Sequence, residues 1–376
     1  MKSIVYIINV DWYFKLHWAE RALHAKKNGF SVTIITTITD ENIFKYLDKL
    51  GFTVINLNLY RKSLNPLKEL IYVFSLYKNI LKIKPTIIHA VTIKPNVYAG
   101  LINRFFLNLP IVYSITGLGA IFSNSKYKLI KKIIESIYRI ISTKNSTFIF
   151  ENYDDLKYFK SQQIIKDNGI VIEGAGVDID RYCPIKEPQP NSILFAARLL
   201  EDKGLDTLIE SVKKLKSDNI NCTLNVAGII DNDVNGAIPI NEITKLNDNG
   251  DINWLGTCDN MVNVINSNSV VCLPTRYGEG VPRILIEAAS CARPIIATNV
   301  SGCKEIIKDG INGYLISVND STSLAKHLRY LFDNKNLSKN MGIEGRNIVK
   351  AVYNKNIVLK ETLKIYNTLG DRINRK

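Results

Sequence analysis

Uninterrupted apolar runs of strand length recur along the chain, separated by longer stretches whose apolar residues fall three and four apart. In the first half the runs are Ile4–Val10, Ser31–Thr36, Thr53–Leu57, Ile87–Ala90, Ile111–Ile115, Thr147–Phe150 and Ile170–Ile172. Between them Leu16–Lys27, Leu67–Ile83, Asn96–Phe106 and Tyr127–Ile141 carry the helical spacing. A strand with one wet face alternates apolar and polar side chains. These runs are apolar throughout, which predicts parallel sheets covered by helices on both faces. The rhythm restarts at Ile193–Ala197 and continues through Thr223–Ala227, Ile252–Leu255, Val270–Pro274, Ile295–Thr298 and Tyr314–Ser317. Two doubly wound parallel-sheet domains of the α/β class are expected.

The seam is expected near Cys183–Asn191, where Pro184, Pro188 and Pro190 suit an extended linker. That predicts one domain over residues 1–182 and a second over 183–354. Helical segments around Leu337–Val352 and Lys355–Leu369 close the chain. In such sheets ligands bind beyond the carboxyl ends of the strands, at the point where the strand order reverses. The residues at those ends are therefore expected to line a cleft between the domains.

At 376 residues, 46% hydrophobic and 22% charged, the chain can bury two full cores, which excludes a disordered or fibrous protein. The start, MKSIVYIINV, has one Lys before a short apolar run and no small-residue cleavage site. No secretory signal and no membrane-spanning segment are expected, so the reading is cytoplasmic. Six Cys without a C-x-x-C pair read as reduced thiols rather than disulfides or a zinc site. The charge is unevenly placed. Through Asp178 there are 24 Lys+Arg against 13 Asp+Glu, and after it 25 against 22. A basic first half points to an acidic partner there, such as nucleic acid, anionic lipid or a phosphorylated substrate. Tyr127–Ile141 places Lys128, Lys131, Lys132 and Arg139 beside an apolar helical stripe, and Tyr60–Lys84 adds six more cations. A basic amphipathic helix of this kind can lie on an anionic membrane.

Two segments of the second half carry chemistry. The strand Ile193–Ala197 runs into Arg198, and Lys203-Gly204 opens the helix Leu205–Leu215. Two cations at a strand-to-helix turn, beside a helix N-terminus, suit a diphosphate. Further on, PTRYGEGVP follows an apolar strand. Gly278 and Gly280 permit close backbone approach to a ligand, Glu279 sits in the loop, and Glu287 lies in the following helix. Their spacing, about two helical turns, predicts that both carboxylates face the same side and accept hydrogen bonds from sugar or ribose hydroxyls.

EGVPRILIEAASCARPIIATNVSGCKEIIKDGINGYLI resembles the donor-binding region of the family-4 retaining glycosyltransferases, whose Glu-x7-Glu signature is met by Glu279 and Glu287. FAARLLEDKGLDTLIESV is similar to the same family's Arg…Lys-Gly diphosphate site, met by Arg198 and Lys203. The resemblance continues through GAGVDIDRYCP, IFENYDD, YSITGLGAIF and HAVTIKPNVYAG. It implies the GT-B fold of two facing Rossmann-like domains, with a last helix at about 355–376 crossing back to the first domain. It implies that the second domain binds a nucleotide-sugar, UDP-linked, with Arg198, Lys203 and Glu279 catalytic. Gly280, Val281 and Glu287 would bind the donor. No metal and no cofactor besides the co-substrate is implied.

The same resemblance implies a first domain that takes a lipid-diphosphate-linked saccharide acceptor, at the inner face of the plasma membrane. The transferred sugar would be a hexose or N-acetylhexosamine, in surface-polysaccharide or O-antigen assembly. Where many relatives carry a His after the fifth strand, this chain reads Ser114-Ile115-Thr116-Gly117. The candidates for acceptor or sugar contacts are therefore His89, Lys94, Thr116 and Gly117. The glycine-rich loop after the first strand is also replaced, by Asn9-Val10-Asp11-Trp12-Tyr13-Phe14. An epimerase acting on sugar nucleotides with the same two domains is the alternative. A dinucleotide-dependent oxidoreductase would need G-x-G-x-x-G after the first strand, and no nucleic-acid-binding module is present.

Overall fold

The computed structural model describes residues 2–59, 65–119, 122, 127–230 and 236–373. The chain forms two compact units, Met1–Ala175 with Asn356–Lys376, and Gly176–Lys355. The first holds seven strands: β1 Ser3–Val10, β2 Ser31–Thr37, β3 Thr53–Asn56, β4 Ile87–Val91, β5 Ile111–Ile115, β6 Ser146–Phe150 and β7 Gly169–Val171. They pair in parallel in the order β3-β2-β1-β4-β5-β6-β7. The second holds β8 Ser192–Ala196, β9 Thr223–Ala227, β10 Asn253–Gly256, β11 Val270–Leu273, β12 Ile295–Thr298 and β13 Gly313–Ile316. Their order is β10-β9-β8-β11-β12-β13, again parallel. Central strands such as β4, β5, β8 and β11 are buried along their whole length, as the apolar runs require.

Amphipathic helices pack on the sheets through their apolar sides. In the first unit one core gathers around Tyr6, Phe14 and Trp18, and another around Leu76, Tyr113 and Phe148. The helix Lys355–Ile373 belongs to the first core, where Val358, Tyr366 and Leu369 are buried. The second unit starts at Gly176, upstream of the proline-rich segment where the sequence places the seam. Val177 already bridges Asn354 and Tyr182 is buried in the second unit's core, so residues 176–182 pack there despite preceding the prolines. Asp178 stands at this passage, its carboxylate 2.6 Å from the Lys355 ammonium.

Several helices differ from expectation. The stretch read as Leu16–Lys27 is two helices, Asp11–His17 and Ala19–Lys27, broken at the buried Trp18. The chain turns into helix directly at the end of β1 because Asp11 is itself buried. Its carboxylate accepts hydrogen bonds from the Trp12 and Thr39 amides at 2.8 and 2.9 Å. The apolar runs also miss short helices with polar caps, Glu41–Lys49 behind Asp40 and Ser321–Asp333 behind Asp320. All six cysteines are free thiols.

Candidate functional site

In the second sheet β8 and β11 are neighbours although β9 and β10 lie between them in sequence, so the strand order reverses between them. Both sequence-selected segments leave the sheet at this place. After β8 the chain passes Arg198 into the 3-10 turn Glu201–Lys203 and then Gly204, which opens the helix Leu205–Ser217 at φ 76°. A Cβ on Gly204 would lie 2.1 Å from the carbonyl oxygen of Pro274, so glycine is what allows the loop after β11 to close on this turn.

Closure brings the charges together. The Lys203 ammonium is 2.6 Å from a Glu279 carboxylate oxygen, and the two side chains are only 8% and 16% exposed. The same ammonium lies 5.0 Å from the Tyr277 ring centre. Burial alone would depress the Lys203 pKa. The Glu279 carboxylate, seconded by Tyr277, more than offsets this and leaves it above the ordinary value. The half-buried Arg198 is near enough for its charge to oppose that rise. Two cations and a carboxylate thus converge at one strand-order reversal.

Other residues hold this geometry. Arg276 donates through Nη1 to the Glu201 carbonyl at 2.6 Å and through Nε to the Asn319 side chain at 2.7 Å, and it pairs with Asp206. Its own amide donates to the Asp202 carbonyl at 2.8 Å. It therefore ties the loop after β11 to the turn after β8. The Glu279 amide donates to the Ser301 carbonyl at 3.0 Å. Gly302, at φ 85°, lets the backbone of Gly280 come so close that an added Cβ would sit 1.5 Å from its carbonyl oxygen.

Gly280 and Val281 are buried and lead into the helix Arg283–Ser290, whose first turn has no acidic residue and no side-chain cap. Glu287 is buried within that helix and accepts from Arg283 Nε at 2.6 Å. Its carboxylate also faces Tyr182, whose phenol is pushed up first by burial and then by this charge. Here the sequence expectation is corrected. Glu279 and Glu287 do not share a helical side, because the helix begins only at Arg283. One turns to Lys203 and the other to Arg283 and Tyr182.

The first-unit candidates fare differently. His89, expected as a sugar or acceptor contact, is completely buried in β4. Its Nδ1 is 2.6 Å from the Tyr366 hydroxyl and its Nε2 2.8 Å from the Ser114 hydroxyl. Tyr6 stacks on the ring at 4.9 Å and bonds Tyr366 in turn, at 2.6 Å. Burial, and then the Arg21 charge, hold His89 well below its ordinary pKa. It is a fastener between sheet and C-terminal helix, and the expected contact role is withdrawn. Lys94 is ion-paired with Glu69 at 2.9 Å. Thr116 and Gly117, the latter at φ 100°, form the half-buried exit from β5. Thr92, just after β4, is held at φ 73°, an uncommon strain for a β-branched residue.

Sequence reasoning passed over Arg276, Tyr277 and Tyr182. The first two lie inside the glycine-rich loop, and their unusual bulk there was the available signal; nothing local marks Tyr182. A cavity of about 510 Å³ along helix Leu205–Ser217 is lined by four carboxylates, Glu201, Asp206, Glu210 and Glu242, against the two cations Lys213 and Arg276, a net negative lining that does not suit a diphosphate.

Residues 3–152 match the family described as glycosyl transferase 4-like, and residues 181–348 match glycosyl transferases group 1. The chain is 24% identical to the N,N'-diacetylbacillosaminyl-diphospho-undecaprenol alpha-1,3-N-acetylgalactosaminyltransferase of Campylobacter jejuni subsp. jejuni serotype O:2, over 93% of this chain and 94% of that protein. It is 24% identical to the UDP-Gal:alpha-D-GlcNAc-diphosphoundecaprenol alpha-1,3-galactosyltransferase of Escherichia coli, over 77% and 79%. Among solved structures, HepE of Anabaena in complex with UDP-glucose superposes with a TM-score of 0.77, at 14% identity and complete coverage of both chains. At that identity the likeness concerns the fold.

Proposed function

Because the chain belongs to the family-4 glycosyltransferases of the GT-B type, and so is a glycosyltransferase, we propose that it moves a hexose or N-acetylhexosamine from a UDP-sugar to a lipid-diphosphate-linked saccharide. The setting is surface-polysaccharide or O-antigen assembly at the inner face of the plasma membrane, and the donor's anomeric configuration is kept. The observation that carries this reading is the meeting of Lys203, Arg198 and Glu279 where the second sheet reverses its strand order. The two relatives named for diphospho-undecaprenol-linked sugars support the acceptor, and the UDP-Gal in the name of the Escherichia coli relative supports a UDP-sugar donor.

The chemistry follows from charge. When the bond from the anomeric carbon to the donor's phosphate oxygen breaks, negative charge gathers on the departing diphosphate. Arg198 and Lys203 stabilise that charge, Arg as a fork and Lys as a buried point charge. The backbone N–H groups of Gly280 and Val281 add donors at the phosphate. With these groups no metal is needed. Glu279, beside Lys203, accepts hydroxyls of the sugar next to the diphosphate. Glu287, oriented by Arg283, holds the ribose. Thr116 and Gly117 serve the acceptor.

The test is to incubate the protein with UDP-hexoses and UDP-N-acetylhexosamines, with and without an undecaprenyl-diphosphate-linked saccharide. Acceptor-dependent transfer is the expected result. Interconversion of the nucleotide-sugar without acceptor would instead establish the epimerase.

A further inference from the structure

Helix Pro66–Ile83 has two apolar faces, back to back. Tyr72, Leu76 and Ile80 are buried against the first sheet. On the opposite side Leu67, Leu70, Ile71, Phe74 and Leu81 recur at the same helical period and are exposed, Leu67 to 71% and Ile71 to 67%. One apolar face holds a helix in its domain, and a second of this width serves something outside it. The π-turn Asn103–Leu107 extends the surface. Buried Asn103 exchanges two hydrogen bonds of 2.8 Å with the Leu109 backbone, leaving Phe105 and Phe106 facing out. The Phe106 ring lies 5.3 Å from that of Tyr77, joining turn to helix. Helix Lys128–Ile141 packs on this turn and repeats the arrangement. Ile134, Tyr138 and Ile141 point inward while Leu129, Ile133 and Ile140 are exposed. Sequence periodicity puts Leu129, Ile133, Ile134, Ile140 and Ile141 in one stripe; the structure divides them into two.

Charge identifies what covers this surface. Lys78 and Lys82 are exposed along the outward face of the first helix, and Lys128 and Lys132 are exposed beside that of the second. Each helix has a single acidic residue, and each points the other way. Glu69 bonds Lys94 and Tyr98, and Glu135 is buried against Tyr158. A second copy of the chain would set these cations against their own images, and a neutral apolar partner would leave them unmatched. An anionic bilayer satisfies both the apolar tips and the cations around them.

We propose that the outward faces of Pro66–Ile83, Asn103–Leu107 and Lys128–Ile141 form one docking surface that seats the first unit on an anionic lipid leaflet, with Phe74, Phe106 and Leu129 among the side chains entering it. The inference rests on the reading that the acceptor is membrane-linked, and it names the face that meets the membrane.

The experiment is co-sedimentation of the full chain with phosphatidylglycerol-containing vesicles and with pure phosphatidylcholine vesicles. It uses the wild type, Ile71→Ser/Phe74→Ser and Lys78→Glu/Lys82→Glu, with UDP titration and thermal melting as controls. Wild type should bind the anionic vesicles, and each double variant should need about tenfold more lipid or beyond. Melting and UDP affinity should be unchanged. Equal binding by wild type and variants, or no binding by wild type, overturns the proposal. So does a concentration-dependent dimer that the same substitutions dissolve. Failure of wild type to bind UDP would count against the glycosyltransferase donor reading and leave the vesicle result standing. Should a serine variant melt early, the charge-reversal variant, confined to exposed lysines, decides.

Discussion

The ammonium of Lys203 meets the carboxylate of Glu279 at 2.6 Å with most of both side chains out of water. One comes from the turn after β8 and the other from the loop after β11, so the pair exists only because those strands are neighbours in the sheet. Removing one partner of such a pair strands the other in a poorly solvated place.

Lys203→Ala is therefore expected to lower stability by about 3 kcal/mol and transfer rate about a hundredfold. Adding Glu279→Gln should recover most of the stability and none of the rate. Denaturant unfolding and initial rates separate the two. If the double variant regained turnover, Lys203 would be structural and the diphosphate role would fall. Arg198→Ala, at a half-buried position, should cut the rate with little change in melting.

The two carboxylates face different partners, and their substitutions should differ accordingly. Glu279→Gln is expected to reduce transfer while leaving free UDP affinity near normal. Glu287→Gln should weaken UDP itself, by about 1.5–3 kcal/mol for a lost charged hydrogen bond. Isothermal titration with UDP distinguishes them, and identical losses would reject the division of labour.

Arg276 is a positioning residue, spanning Glu201, Asp206 and Asn319. Arg276→Ala should lower kcat/KM by about tenfold or more through misplacement of the loop carrying Glu279. Arg276→Lys should restore only part of this, since one ammonium cannot serve three separated acceptors. A lower melting temperature with unchanged kcat/KM would show that the residue only stabilises.

His89 should impose a pH dependence on stability. Its folded pKa lies below the ordinary 6.5, so below that value the unfolded chain binds a proton that the folded chain refuses. Stability is complete above 6.5 and falls as pH drops, by about 1.4 kcal/mol per pH unit until the folded pKa is reached. His89→Gln should flatten the difference between unfolding curves at pH 5 and 7. An unchanged slope would assign the acid sensitivity elsewhere.

If Arg198 and Lys203 supply the charge a metal would bring, transfer should survive EDTA. Loss of activity restored by Mg²⁺ or Mn²⁺ would contradict this. Proton NMR of the fresh product should show the donor's anomeric configuration, and an inverted signal would reject retention.

Much of this protein was readable along the chain. Both parallel sheets follow from apolar runs, because a strand buried on two faces has no room for polar alternation, and β5, β9 and β12 begin and end at the residues expected. Lys203 and Glu279 were legible as separate signals on two strand-to-helix segments. Their contact was not, since it depends on β8 and β11 being neighbours and on Gly204 leaving room for the Pro274 carbonyl. His89 looked like a ligand because its type and strand end suited one. Its fate was set by Tyr366, far along the chain, filling the space beside it. The helix Lys128–Ile141 makes the same point from the other side. Helical spacing counts apolar residues around an axis, but burial depends on which neighbours arrive. Here they cover Ile134 and Tyr138 and leave Leu129 and Ile133 to the solvent. Local periodicity specifies elements, because each run carries its own requirement for burial. Contacts between distant residues come from the order in which those elements pack.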